Sequence, residues 1–378
     1  MITRRSVLLG ALAVPAACTR RKAQGFSGYA FIANQDGGAI AAVDLSVFSL
    51  ARHIRVDGAP TAVIADQRTA NVYALTPENG CVHEIRAGNL TLSRKLKVAN
   101  SALTIRLSPD GTSLYVLCLA PRRLVRVALN PMRVDWVLPL PADPVNFDLA
   151  PNGNVLAISY GAQQMLGLVD TAARHAYPPI QAGGDIGTLR FQSDSRQLIA
   201  GNLSQRMLSI YHVPSRKLIV NLPLTVRPDH LCFNADGGQL FVTGEGMDAV
   251  VVVYPYYTPE VGETVLAGHT PGAMAASADP DDGYLFVTNA SSGDVTILDI
   301  RTRKVVAVTP VGAGPGYVTI TPDDQYALVL NQISGDMAVI RIANITRTVN
   351  EQRRWKKGAL FMLIPVGSKP VSAAVMGI

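Results

Sequence analysis

Short apolar runs recur along this chain at near-constant spacing, and each is followed by a polar turn and a second, alternating run. The first kind comprises Tyr29–Ala33, Val72–Leu75, Leu114–Leu117, Val155–Ser159, Leu198–Gly201, Leu240–Thr243, Leu285–Thr288 and Ala327–Leu330, roughly 42 residues apart. The second kind includes Ile40–Leu45, Leu124–Leu129, Met165–Val169, Met207–Tyr211, Ala249–Val253, Val295–Ile300 and Met337–Ile342. A third run follows, as at Leu218–Leu222 and Lys304–Val308, and a Gly/Pro turn then leads into a fourth. Such turns stand at Gly58, Gly268, Gly312 and Gly367. Tight reversals close the cycle at Pro109-Asp110-Gly111, Pro151-Asn152-Gly153, Ala235-Asp236-Gly237 and Pro322-Asp323-Asp324, where Asp and Gly supply turn hydrogen bonds and positive φ. Short strands at even spacing, punctuated by Gly and Pro, predict all-β repetition.

A period near 42 with four strands fits one blade of a β-propeller. A small twisted sheet cannot bury both of its faces alone, and radial stacking solves this. The chain starts its first repeat mid-unit at Tyr29 and ends on an orphan fourth-type strand, Val371–Met376, so the two pieces complete one blade together. The expected fold is therefore all-β: a β-propeller of eight four-stranded blades, closed by pairing of the N- and C-terminal strands. Seven blades result if the degenerate unit around residues 155–180 does not form one.

The unit Phe286-Val287-Thr288-Asn289, continued by Ser292-Gly293-Asp294-Val295 and ending at Asp299, resembles the YVTN-repeat (YncE-like) bacterial β-propeller family. The match is strongest over residues 240–342; Asn34 and Asn331 fit it, while Thr76, Gly161 and Ser204 depart from it. The resemblance implies an exported propeller and says far more about fold than about activity.

The start of the chain agrees with export. Arg4 and Arg5 precede an apolar stretch from Val7 to Ala17, too short to span a bilayer, with small residues before Cys18. The paired arginines resemble a twin-arginine signal, and Ala16-Ala17-Cys18 resembles a lipoprotein cleavage site, making Cys18 the candidate for lipidation. Residues 1–25 are read as the export segment and 26–378 as a single propeller domain. The expected location is the periplasm or cell envelope, with a membrane tether if Cys18 carries lipid.

Charge and cysteine usage narrow the chemistry further. The net charge is +6, with 34 Lys and Arg against 28 Asp and Glu, and no basic stripe interleaves with aromatics, so a nucleic-acid partner is not expected. The densest basic run, Arg353 to Lys357 around Trp355, reads as an exposed loop. Cys81, Cys118 and Cys232 are odd in number and widely spaced, which argues against a disulfide framework, a zinc site or covalent haem attachment.

Loops of one face of a propeller converge at its channel mouth. The loop after the first strand contributes Asn34, Asn202, Asn289, Asn331 and Glu245; the Gly/Pro loop contributes Asp185, Arg227, Asp229, His230, His269 and Lys369. Arg227, Asp229, His230, Glu245 and His269 form the densest sector, and with Asn289 and Asn331 they are the candidate ligand-binding set. Within it, His230, Glu245 and His269 have the donor types for a divalent metal, or for acid/base work with Arg227 holding an anion. The plainer expectation is that the asparagines cap turns and the histidines pair locally. The recurring Asp44, Asp170 and Asp299 are expected to bind turn amides. No Gly-x-Ser-x-Gly, His-Glu-x-x-His or Walker sequence occurs. The leading expectation is a monomeric envelope scaffold that binds a protein, small molecule or glycan at one face, without catalysis. A lactonase-type hydrolase and a periplasmic redox or haem-related propeller are the alternatives.

Overall fold

The computed structural model describes residues 25–279, 283–345 and 359–378. These form eight antiparallel sheets. Blade 1 combines Gly28–Asn34, Ala39–Asp44 and Ser49–Arg55 with the C-terminal strand Pro370–Gly377 on its inner side. The inner strands of blades 2 to 8 are, in order, Ala62–Asp66, Ser101–Leu107, Asn146–Leu149, Ile186–Phe191, His230–Phe233, Pro271–Ala276 and Pro315–Ile320. Each inner strand packs beside the next, and Pro370–Gly377 lies between Pro315–Ile320 and Ala62–Asp66, completing the circuit. The expected eight-bladed ring is the observed one. Residues 1–24, on which the expected export segment and Cys18 fall, and the basic run around Trp355 lie outside the described residues.

The hydrophobic pattern follows from this packing. Middle strands are covered on both faces by neighbouring blades, so they read as unbroken apolar runs: all six residues of Tyr284–Asn289 and of Tyr326–Asn331 are buried. Outer strands such as Ser49–Arg55 bury little and carry charge. There is no single core. Eight clusters form instead, one between each adjacent pair of blades. Ala30, Ile32 and Val43 of blade 1, for example, pack on Tyr326, Leu328 and Val339 of blade 8. Each fully buried Leu, Ile or Phe contributes about 1.5–3 kcal/mol of burial.

Closure rests on antiparallel pairing between the two ends of the chain. Tyr29 lies opposite Met376, Ala30 opposite Val375, Phe31 opposite Ala374 and Ile32 opposite Ala373. The weak repeat near residues 155–180 does form a blade, but its outer edge is broken into His175–Ala176 and Ile180–Gln181. Pro178 and Pro179 lie between the two pieces and have no N–H to continue the ladder. The recurring aspartates act as the pattern predicts. Asp44 accepts from the Ser46 amide at 2.8 Å, Asp170 from Ala173 at 2.7 Å and Asp299 from Thr302 at 2.7 Å. Cys81, Cys118 and Cys232 are free thiols, and burial pushes Cys118 and Cys232 up to about 11, so both stay protonated at neutral pH.

Two predictions follow from this packing. Deleting residues 370–378 removes the inner strand of blade 1 and should abolish cooperative unfolding in a near-UV circular dichroism melt; a sharp transition like that of the intact chain would contradict closure. The second concerns His83, fully buried and 3.1 Å from the Thr76 hydroxyl. Burial, helped by nearby Lys95, lowers its imidazole to about 4. The unfolded chain therefore takes up a proton below about pH 6.5 that the native state refuses, and stability is lost as pH falls from there through 4. His83→Gln should flatten urea-unfolding stability over that window by about 3 kcal/mol relative to the parent chain.

Candidate functional site

The two loop types predicted to share a face do so. The Gln35 amide donates to Lys369 O at 3.0 Å, the Arg227 amide to Glu245 O at 2.7 Å and the Ser291 amide to His269 O at 3.2 Å, each joining the loop after a first-type strand to the Gly/Pro loop beside it. The predicted residues separate into three settings within this frame.

Arg227, Asp229 and Glu245 form a closed knot. Arg227 Nε donates to Asp229 Oδ1 at 2.7 Å, its Nη1 lies 2.5 Å from Glu245 Oε2, and the Glu245 amide donates to Asp229 Oδ2 at 3.0 Å. The Asp229 bond holds the Arg227 guanidinium above its ordinary value. His269 belongs to a different pair: its Nδ1 lies 2.6 Å from Asp248 Oδ2, while Asp248 Oδ1 accepts from the Thr270 amide at 2.9 Å. That amide bond first, and His269 second, lowers the Asp248 carboxyl. Asp248 was not singled out in the sequence, although it sits one loop from His269. Lys369 lies 3.9 Å from Asp36, and the Asp185 amide is bonded to the Ser204 hydroxyl at 3.3 Å.

The asparagines are wall elements. Asn289 and Asn331 are fully buried. Asn289 Nδ2 donates to Asp294 at 2.6 Å and to Thr296 at 2.8 Å, and Asn331 Nδ2 donates to Asp336 at 2.6 Å and to Val311 O at 3.2 Å. Asn34 donates to Val366 O at 2.6 Å, and Asn202 accepts from the Gln205 amide at 3.1 Å. Each pins a turn of its own blade or of the strand beside it.

His230 stands alone on an inner strand. It is open to solvent yet surrounded by protein, as a side chain on a narrow channel wall must be, and this desolvation lowers its imidazole. A Cβ on Gly272 of the next blade would stand 3.8 Å from its Nε2. His230, Glu245 and His269 therefore do not form one centre, since Glu245 is held by Arg227 and His269 by Asp248. Among the described residues no three His, Cys, Asp or Glu side chains gather as a metal requires.

Deeper in the channel lies a cluster the loop argument missed. Arg106, Asp148 and Arg190 occupy the same position of three successive inner strands, just ahead of the tight turns, at a constant interval of 42 residues. Asp148 Oδ1 is 3.8 Å from Arg106 Nε and 3.7 Å from Arg190 Nη1. Its other oxygen accepts the Phe191 amide at 2.9 Å. Burial raises the Asp148 carboxyl even against the two guanidiniums, and burial lowers the Arg106 guanidinium. Tyr317 comes from the blade across the ring; its hydroxyl donates to Ala373 O at 3.0 Å, and it lies within electrostatic reach of both arginines. One signal did exist in the sequence. The same repeat position holds Ile64 and Cys232 in other blades, so charge there breaks the repeat.

Fold and channel together define an eight-bladed β-propeller with a polar axis. Similar solved structures include the dihydro-haem d1 dehydrogenase NirN in complex with DHE, at 14% identity and a TM-score of 0.77 over 94% of this chain and 77% of that one. Kuenenia stuttgartiensis hydrazine synthase matches at 16% identity and a TM-score of 0.60, over 76% of this chain and 96% of that one. A functionally unknown protein from Desulfotomaculum acetoxidans DSM 771 matches at 12% identity and a TM-score of 0.62, over 93% of this chain and 99% of that one. At these identities the likeness is one of fold. No protein-family model and no curated protein matches the chain.

The two settings predict unequal costs. Asn289→Ala leaves Asp294 and Thr296 without their buried donor and should cost about 1–3 kcal/mol in denaturant unfolding. Arg227→Ala removes an ion-pair knot that water reaches and should cost less than about 1 kcal/mol. Equal losses would contradict this division between wall and rim.

Proposed function

We propose that this chain is an exported, YVTN-type propeller of the bacterial cell envelope that binds a ligand without transforming it. The observation that carries this reading is the engaged state of the rim. Glu245 is tied to Arg227 and His269 to Asp248, so the two are not paired with each other as an acid and a base on one substrate. A ring with every blade face covered by its neighbour is a rigid frame, suited to presenting fixed groups to a partner. The Phe286–Asn289 repeat and the Arg4-Arg5 and Cys18 start support the family and envelope parts of the reading.

Glu245→Ala and His269→Ala test this. Both variants should keep the parent's circular dichroism spectrum, and the purified protein should show no hydrolysis of simple lactones. Reproducible lactone turnover abolished by either change would replace the binding reading with the hydrolase one.

A second reading, a haem-related propeller, is favoured by one feature. His230 offers a neutral imidazole Nε2 toward the channel, beside a glycine that leaves room. His230 would be the nitrogen donor holding an iron tetrapyrrole, and NirN, similar in fold, was solved in complex with DHE. Such a group would supply redox chemistry that the chain's own residues lack. Haemin added to the purified protein should then give a shifted Soret band that His230→Ala removes; a band unchanged from that of free haemin would end this reading.

A further inference from the structure

We propose that the channel holds a small oxyanion-bearing solute, a carboxylate or an inorganic oxyanion, between the guanidiniums of Arg106 and Arg190. This rests on the binding reading and names the chemistry of its ligand.

The first argument is charge. Arg106, Asp148, Arg190, His230 and Asp66 are the ionisable Asp, Glu, Lys, Arg and His residues of the eight inner strands. Asp66 is taken up by its own turn, accepting from the Arg68 amide at 3.1 Å and the Thr69 hydroxyl at 2.6 Å. His230 is neutral at pH 7. Two guanidiniums thus face a single carboxylate, and one positive charge is left over inside a channel walled by protein, where screening by salt is weak.

The second argument is geometry. Contacts of 3.7 and 3.8 Å are too long for the bidentate hydrogen bonds that Arg and carboxylate form when they satisfy each other. Asp148 spends its other oxygen on the Phe191 amide. Arg106 is steadied from behind, with its Cζ 5.5 Å from the centroid of the Phe147 ring and its Nη1 3.0 Å from Ile105 O. Among the described residues, no acceptor lies within hydrogen-bond distance of Arg190. A guanidinium presents five N–H donors in a planar fork that matches an oxyanion.

The third argument is access. The side chains of Arg106 and Arg190 are 34% and 47% exposed, against 11% for Asp148. Water reaches the cations more readily than the anion between them, so a solute can as well.

The test uses the purified propeller at fixed ionic strength and chloride, with sodium acetate, inorganic phosphate and uncharged acetamide as probes. Binding is read by thermal shift and by calorimetric titration. Acetate or phosphate should bind and raise the melting temperature, and acetamide should not; whichever anion binds more tightly identifies the oxyanion class. Arg190→Gln should weaken that binding at least tenfold with an unchanged near-UV spectrum, because among the described residues Arg190 has only the long Asp148 ion pair to lose. Asp148→Asn removes the competing carboxylate and should tighten it several-fold. No anion response, or a response untouched by Arg190→Gln and Asp148→Asn, overturns the channel site. Those outcomes leave the binding reading standing, because only turnover or a haem spectrum displaces it.

Discussion

Everything in this molecule depends on each blade having no core of its own. A four-stranded sheet exposes two faces, and here both are covered only by the neighbouring sheets, through eight separate apolar clusters. A linear stack would leave two apolar faces in water. The ring removes them, and the pairing of Gly28–Asn34 with Pro370–Gly377 locks it by joining residues some 340 positions apart in one sheet. Contacts of such long range form late and cost loop-closure entropy, so the final strand acts as a latch on structure built largely from nearest-neighbour blades.

The same constraint explains what could be read from the sequence. Middle strands buried on both faces must be apolar at nearly every position, so eight runs stand out and point to eight blades, with only the unit around residues 155–180 leaving seven open. Gly or Pro marks entry to the inner strands except that of blade 3, which follows Val98-Ala99-Asn100, and the aspartates ending second-type strands, Asp44, Asp170 and Asp299, mark outer hairpins. Even the weakest unit kept its apolar middle strand, Val155–Ser159, and lost regularity only at an outer edge where Pro178 and Pro179 cost little. The orphan final strand made closure legible because a fourth-type strand without a blade has one place to go.

The site was less legible, for a physical reason. Topology brings loops to one face, and the sequence conveys that much. It does not tell which partner a side chain will take once there. Glu245 and His269 are close in the loop scheme, yet each found an oppositely charged or hydrogen-bonding neighbour, Arg227 and Asp248, before it could find the other. The asparagines were legible as turn caps because a short amide after a strand can satisfy local backbone and side-chain groups. Arg106, Asp148 and Arg190 escaped notice because each, taken singly, looks like an ordinary charge near a turn. They become a group only when the repeat is aligned on its period and the axis is placed beside the inner strands.

That alignment also shows why the charges can persist. The side chains of Arg106 and Arg190 are 34% and 47% exposed, so solvent meets the charges they carry. Blade 7 contributes Pro271–Ala276 and blade 1 contributes Pro370–Gly377, both without ionisable residues, while blades 3 to 5 contribute the charged triplet. The inner wall therefore carries its charged triplet over blades 3 to 5 and has no charged side chain at blades 7, 8 and 1, where the Tyr317 hydroxyl donates to Ala373 O. A frame built only for stability would have no use for that asymmetry. Replacing a charge triplet by apolar residues of similar volume is commonly neutral or stabilising, and the equivalent positions Ile64 and Cys232 show that this repeat accommodates such residues. The triplet thus stands where packing of the repeat does not call for charge, which is the physical ground of the proposed oxyanion site.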